Sequence, residues 1–149
     1  MGQQQLLLLV LATVIVGLAT VAGIQAFEQG SARANQDALT NTAVKIASDI
    51  QAHAKEPTQF GGRGMDEISD GSSSSLTLQE LGYETTSGGG DYTSNDHYET
   101  SDGECELTTS ALGGGDNPVV RCASSDAVVE VTVNGLDSDG IETTQEMQS

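Results

Sequence analysis

The chain has 149 residues and a mass of 15.3 kDa, and its 22 Asp and Glu against 5 Lys and Arg give a formal net charge of −17. That balance is at odds with a nucleic-acid or anionic-membrane binder, which relies on clustered basic side chains. The charge is also uneven: residues 1–57 hold 4 acidic and 3 basic residues (net −1), whereas residues 58–149 hold 18 and 2 (net −16).

The first element is apolar. No charged residue occurs before Glu28, and Leu6 to Ile24 (LLLLVLATVIVGLATVAGI) forms a nearly continuous run of 19 apolar positions. As a helix, such a run spans about 28 Å, close to the hydrocarbon thickness of a bilayer. A cleaved secretory signal has a basic start, a shorter apolar stretch and a small-x-small cut site. Here no Lys or Arg precedes the run and the helical pattern continues past it, so the segment is expected to be retained. Gly17 and Gly23 interrupt it, with Thr13 and Thr20 nearby. Two readings stand: small residues for close helix packing, or a weak stretch that unwinds on assembly, since each interior Gly costs about 1 kcal/mol against Ala.

Past Phe27 the apolar positions narrow to a stripe. Leu39, Ala43, Ile46, Ile50 and Ala54 are spaced by 4, 3, 4 and 4, one face of a 3.6-residue helix. Arg33 and Asp37 form an i,i+4 pair on the polar side. Pro57 disfavours helical geometry at Glu56 and so stops the helix. A single helix of roughly fifty residues is expected, apolar all round at first and amphipathic later.

Residues 58–104 read as loop, with GGRG, DGSSSS, TTSGGGDYTSND and TSDG as turn and linker compositions. Within them only Leu76 to Leu81 alternates cleanly enough for a strand. The stronger β signal is PVVRCA followed by AVVEVTV, with Val129, Val131 and Val133 on one face and Glu130 and Thr132 on the other. Asn134-Gly135 then marks a tight hairpin turn. Leu107, Val120, Val129, Val131 and Val133 are the expected inner contributors of a small antiparallel sheet lying on Leu39, Ile46 and Ile50.

Only 25 of the last 92 residues are hydrophobic, which is thin for a free-standing domain. Cys105 and Cys122, with 16 residues between them, read as one disulfide formed in an oxidising compartment; the alternative is a pair of buried free thiols. A bridge there would contribute on the order of 3 kcal/mol by loop entropy.

Together these elements give an α+β chain in three parts: an apolar transmembrane or filament-core helix at 1–27, its amphipathic continuation at 28–57, and an acidic, loop-rich β head at 58–149.

Candidate chemistry is sparse. His53 falls on the helix and His97 in a Gly/Ser/Asp loop, and neither belongs to an HExxH or paired CxxC pattern. There is no GxSxG, Walker A or dinucleotide fingerprint, and the GGG runs at 88–90 and 113–115 lack the strand and helix context of a phosphate loop. No enzyme activity and no cofactor are expected. Asp137, Asp139 and Glu142 in LDSDGIE offer oxygen ligands at a spacing like the start of a Ca²⁺ loop, without its twelve-residue pattern, and form the one weak metal candidate. Tyr83, Tyr92 and Tyr98 read as packing anchors. Ser72 to Ser75 is a weak candidate for O-linked sugars, and no N-x-[ST] acceptor occurs. Carboxylates spread over loops with few lysines look like the surfaces of proteins from salt-rich habitats, where repulsion is screened.

Leu6 to Phe27, the small-rich continuation AFEQGSARANQDAL, the amphipathic stretch to Pro57 and the late cysteine pair resemble the type IV pilins and secretion-system pseudopilins, and to a lesser degree archaeal pilins. The resemblance covers about the first 57 residues well and the rest in layout. It implies a subunit stored in the membrane through its helix and then packed into an extracellular filament, with Leu6, Leu9, Val10, Val14, Val16, Gly17, Val21 and Gly23 in the membrane helix or filament core. It also implies other copies of the chain, pilus assembly machinery and a prepilin peptidase as partners. The alternatives are a pseudopilin and a non-polymeric single-pass surface protein.

The glutamate usual near a mature pilin's start has no counterpart, the polar residues there being Gln3, Gln4 and Gln5. Two starting points fit: a chain already processed, or one cut after Gly2 to expose Gln3.

Overall fold

The computed structural model describes residues 2–62, 64, 76–87, 96–108 and 117–147. Element order is α1 (Gly2–Lys55), a 3-10 turn (Thr58–Phe60), β1 (Thr86–Ser87), β2 (Asp96–Glu99), β3 (Glu104–Thr108), β4 (Val119–Ala123), β5 (Ala127–Val133), a second 3-10 turn (Ser138–Gly140) and β6 (Ile141–Met147). The fold is α+β, as expected. Compactness divides the chain into two units, Met1–Ala34 and Asn35–Ser149.

The first unit is helix throughout its described residues. No proline interrupts it, and its two threonine hydroxyls are satisfied locally: Thr13 Oγ1 donates to the Val10 carbonyl and Thr20 Oγ1 to that of Val16, each at 2.8 Å. The two hydroxyls therefore bring no unpaired hydrogen-bonding group into an apolar surrounding. The helix passes through Gly17 and Gly23 without a break, and a Cβ added at either would meet nothing within 4 Å.

In the second unit the remainder of α1 lies on a six-stranded antiparallel sheet of order β1-β2-β3-β4-β5-β6. Each strand pairs with its sequence neighbours, a meander that needs only local connections. All five residues of the expected stripe are buried, from Leu39, Ala43, Ile46 and Ile50 at 0 % exposure to Ala54 at 7 %. Ala47 and Gln51 are buried with them. Gln51 is polar, and its Nε2 donates to the backbone carbonyls of Gly135 (2.6 Å) and Asp137 (3.0 Å), tying α1 to the loop before β6. Gln36 Nε2 donates to Gln145 Oε1 (3.0 Å), and Gln145 Nε2 to Thr40 Oγ1 (3.1 Å), which ties α1 to β6 itself.

The sheet face toward α1 carries Cys105, Val120, Cys122, Val129, Val131 and Val133, all fully buried, with Leu107 half-buried beside them. Leu107, Val120, Val129, Val131 and Val133 are the inner contributors expected from the sequence, and the two cysteines join them on this face. Cys105 and Cys122 are direct cross-strand partners and form the expected disulfide. The opposite face has a buried set of its own: His97, Glu106, Val119, Ala123 and Val128.

Three local expectations fail. Leu76 to Leu81 is not a strand: residues 78–82 turn, with Gly82 N–H donating to the Gln79 carbonyl and Tyr83 N–H to that of Leu78. Leu76 and Leu78 are buried in the core all the same, so their apolar spacing serves packing without a ladder. Asn134-Gly135 is not a two-residue hairpin turn. The chain from Asn134 to Gly140 connects β5 to β6, closed by Asn134 N–H on the Gly140 carbonyl. Gly140 lies so near Gly135 that an added Cβ would meet Gly135 backbone at 2.9 Å. Finally, part of 58–104 is not loop, because β1 and β2 fall within it. Asp-His-Tyr-Glu at β2 has one apolar residue, and its pairing with β3, not its composition, makes it a strand.

Candidate functional site

Among the described residues, the exposed large apolar side chains gather on the first half of α1. Twelve large apolar residues from Leu6 to Ile24 remain between 51 % and 68 % exposed, and Phe27 is 80 % exposed. Leu6, Leu9, Val10, Val14, Val16 and Val21 are among them, with Gly17 and Gly23 on the same helix. Mean hydropathy reaches 2.7 over an 18-residue window, none of which is buried within the chain. The helix is therefore long and apolar enough to cross a membrane. A soluble protein rarely leaves so large a contiguous apolar surface in water.

The second unit carries the polar chemistry. Near the end of α1, Tyr83 donates its hydroxyl to Asp49 Oδ2, while its ring meets Tyr98 edge-on with centroids 5.0 Å apart. Lys45 Nζ lies 5.7 Å from the Tyr83 ring centroid. Burial first, then the hydrogen bond and charge of Asp49, hold the Tyr83 phenol well above its ordinary pKa of 10.0. Tyr83 and Tyr98 are thus packing anchors, as read from the sequence; Tyr92 lies outside the described residues, as do Ser72 to Ser75 and both GGG runs.

On the sheet face away from α1, a row of charged side chains crosses the strands. Arg121 on β4 stands opposite Glu106 on β3 and Glu130 on β5, with its guanidinium 3.8 Å and 3.4 Å from their carboxylates. Opposite Glu106 on β2 is His97, only 3 % exposed. His97 was expected in a loop. It is instead a strand residue, with Nε2 3.5 Å from Glu99 Oε1. Glu99 is the direct partner of Glu104, and the ligand atoms of His97, Glu99 and Glu104 all lie within 4.8 Å of one another.

The hairpin carrying them is firmly closed. Thr100 N–H donates to the Gly103 carbonyl at 2.8 Å, and Thr100 Oγ1 donates to that carbonyl (2.7 Å) while accepting from Gly103 N–H (3.2 Å). Gly103 sits against Leu39 and the Ala123 carbonyl, and a Cβ there would collide with that carbonyl. The turn is therefore seated on the core.

The Ca²⁺ candidate Asp137, Asp139 and Glu142 fares differently. All three side chains are exposed, and among the described residues the one group of three or more converging metal-ligand atoms is that of His97, Glu99 and Glu104. The Asp137 carbonyl is engaged by Gln51 Nε2 and Gly140 N–H. Sequence spacing missed the His97 set because two of its members are neighbours only through strand pairing. No family model matches the chain, and neither the curated proteins nor the solved structures contain a match to it.

Proposed function

We propose that the chain is the repeating subunit of an extracellular, type IV pilus-like filament, polymerising through the apolar half of α1. The observation that carries this reading is the uncovered surface from Leu6 to Ile24 on a helix whose later turns are packed on a small disulfide-closed sheet. At about 1.5–3 kcal/mol for each large side chain fully buried, covering the exposed fraction of twelve such residues is worth roughly 10–20 kcal/mol per chain. A coat of that value has two sources, lipid and other copies of the chain. In this account the cytoplasmic membrane stores the monomer, and assembly exchanges helix–lipid for helix–helix contacts at modest net free energy. An assembly motor and a prepilin peptidase are then the partners, and the acidic heads coat the outside.

The structure of the head supports solvent exposure on the edge strand β6, whose residues Glu142 to Glu146 all face water. Charged residues on an edge strand oppose edge-to-edge pairing of heads, which leaves the helix as the polymerising surface. With −16 on the head segment, direct DNA capture by that surface is disfavoured.

Negative-stain microscopy of material sheared from cells tests the reading. Filaments containing this chain support it. Recovery of the chain solely in detergent-extracted membranes would make it a single-pass surface protein, and a short cell-bound assembly would make it a pseudopilin.

A further inference from the structure

We infer that His97, Glu99 and Glu104 form a binding site for a divalent transition-metal cation of the Zn²⁺ type on the β2–β3 hairpin. The inference is independent of how the apolar helix is covered.

Positions 97 and 99 are two apart on β2 and so project from the same sheet face, and Glu104, directly opposite Glu99 on β3, shares it. The three donors come from two strands held in register, with the turn between them closed by Thr100 and Gly103. Such a scaffold fixes backbone positions before any ligand arrives.

Burial and charge supply two further arguments. The His97 side chain is 4 % exposed, and its Nε2 stands 3.5 Å from Glu99 Oε1, longer than an ordinary N–H···O bond. The ring is therefore held by its surroundings, with a nitrogen aimed into the carboxylate pair. Glu99 and Glu104 are like charges placed directly across the ladder, an arrangement that destabilises a sheet. Arg121, on the same face, is turned to Glu106 and Glu130. A cation between Glu99 and Glu104 converts their repulsion into ligation.

The donor set selects the class. Ca²⁺ and Mg²⁺ take oxygen ligands, whereas one imidazole nitrogen with carboxylates suits Zn²⁺ and its neighbours. Tetrahedral Zn²⁺ with ligands near 2.0 Å places them about 3.3 Å apart. The donors, within 4.8 Å of one another, must therefore draw together. Glu99, with its side chain 59 % exposed, is free to swing inward, while His97 provides the fixed point.

The test is a Zn²⁺ titration of metal-free, full-length chain in detergent micelles, against a large excess of Mg²⁺ to saturate diffuse binding by the acidic surface. Retained zinc is counted per chain, and imidazole NMR signals are followed, with His97 distinguished from His53 by a His53→Gln variant. The expected result is one retained Zn²⁺ per chain, movement of the His97 signals with those of His53 unmoved, and weakening by about tenfold or more in Glu99→Gln and in Glu104→Gln. Zinc that Mg²⁺ displaces completely, or that the Glu99→Gln/Glu104→Gln variant retains undiminished, overturns the site. Should a glutamine variant fail to fold, the wild-type spectrum decides alone, and unmoved His97 signals refute the assignment.

Discussion

Removing the Cys105–Cys122 bridge should destabilise the head while leaving the apolar helix intact. Both sulfurs belong to fully buried residues on the face toward α1, and the bond links direct partners of β3 and β4 across a sequence separation of 17. Closing a loop of that size reduces the entropy of the unfolded chain by an amount worth about 3 kcal/mol at 25 °C. Cys105→Ala/Cys122→Ala keeps both positions apolar and isolates that contribution. A urea slope of roughly 1–3 kcal/mol per molar converts the loss into a midpoint shift of about 1–3 M. The assay can separate the two parts of the chain because there is no Trp and all three tyrosines lie beyond residue 57. Near-UV circular dichroism therefore reports the head, and far-UV ellipticity is dominated by the 54-residue α1. The near-UV transition of full-length protein in micelles should move to lower urea while most far-UV signal persists. A midpoint unchanged within about 0.3 M would refute the entropic reasoning, as would loss of both signals together.

Other outcomes follow from the same structure. Ile46→Ala empties a fully buried position between α1 and the sheet and should cost about 2–5 kcal/mol in the same near-UV assay; a loss below 1 kcal/mol, on the order of a surface substitution, would contradict the packing. The Tyr83 phenol, with its folded pKa raised above the unfolded 10.0, contributes stability that is fully present below about pH 10 and lost as pH rises beyond it. Base titration followed by tyrosinate absorbance should show Tyr83 ionising above the ordinary tyrosine range, and Asp49→Asn should lower its pKa by removing the adjacent hydrogen bond and charge. Transfer from molar salt to about 10 mM lengthens the screening distance from ~3 Å to ~30 Å, so repulsion within the acidic head should lower its melting temperature. A melting temperature independent of salt would show that the carboxylates do not repel one another effectively.

The helix was legible in the sequence because both of its signals are physical and local: an uncharged run of bilayer length, then a stripe at 3.6-residue spacing stopped by Pro57. The sheet's inner face was legible for a similar reason, since Val129, Val131 and Val133 alternate with polar residues. What escaped depends on partners distant in sequence. β2 is polar and exists through its ladder with β3. Gln51 is buried because two carbonyls in the loop before β6 accept its amide hydrogens, and no periodicity marks that. Asn134-Gly135 has the composition of a two-residue turn, yet the close approach of Gly140 to Gly135 and the Asn134–Gly140 hydrogen bond close a longer connection. The His97, Glu99 and Glu104 set is likewise invisible as a motif, because Glu104 joins the other two only through the register of adjacent strands.

The central claim is that the surface from Leu6 to Ile24 persists in the working protein and is covered there by sister copies. Copy-to-copy cross-linking tests it most directly. A single added cysteine at Val14, which is 53 % exposed in the isolated chain, is treated with a short bifunctional thiol reagent in material sheared from the cell surface. The account predicts a covalent dimer, the limit for one free thiol per chain, lost when Val16→Asp places a charge in the same segment at a cost of several kcal/mol. A lone 15.3 kDa band from intact surface material, or a mass showing the segment trimmed away, would contradict it.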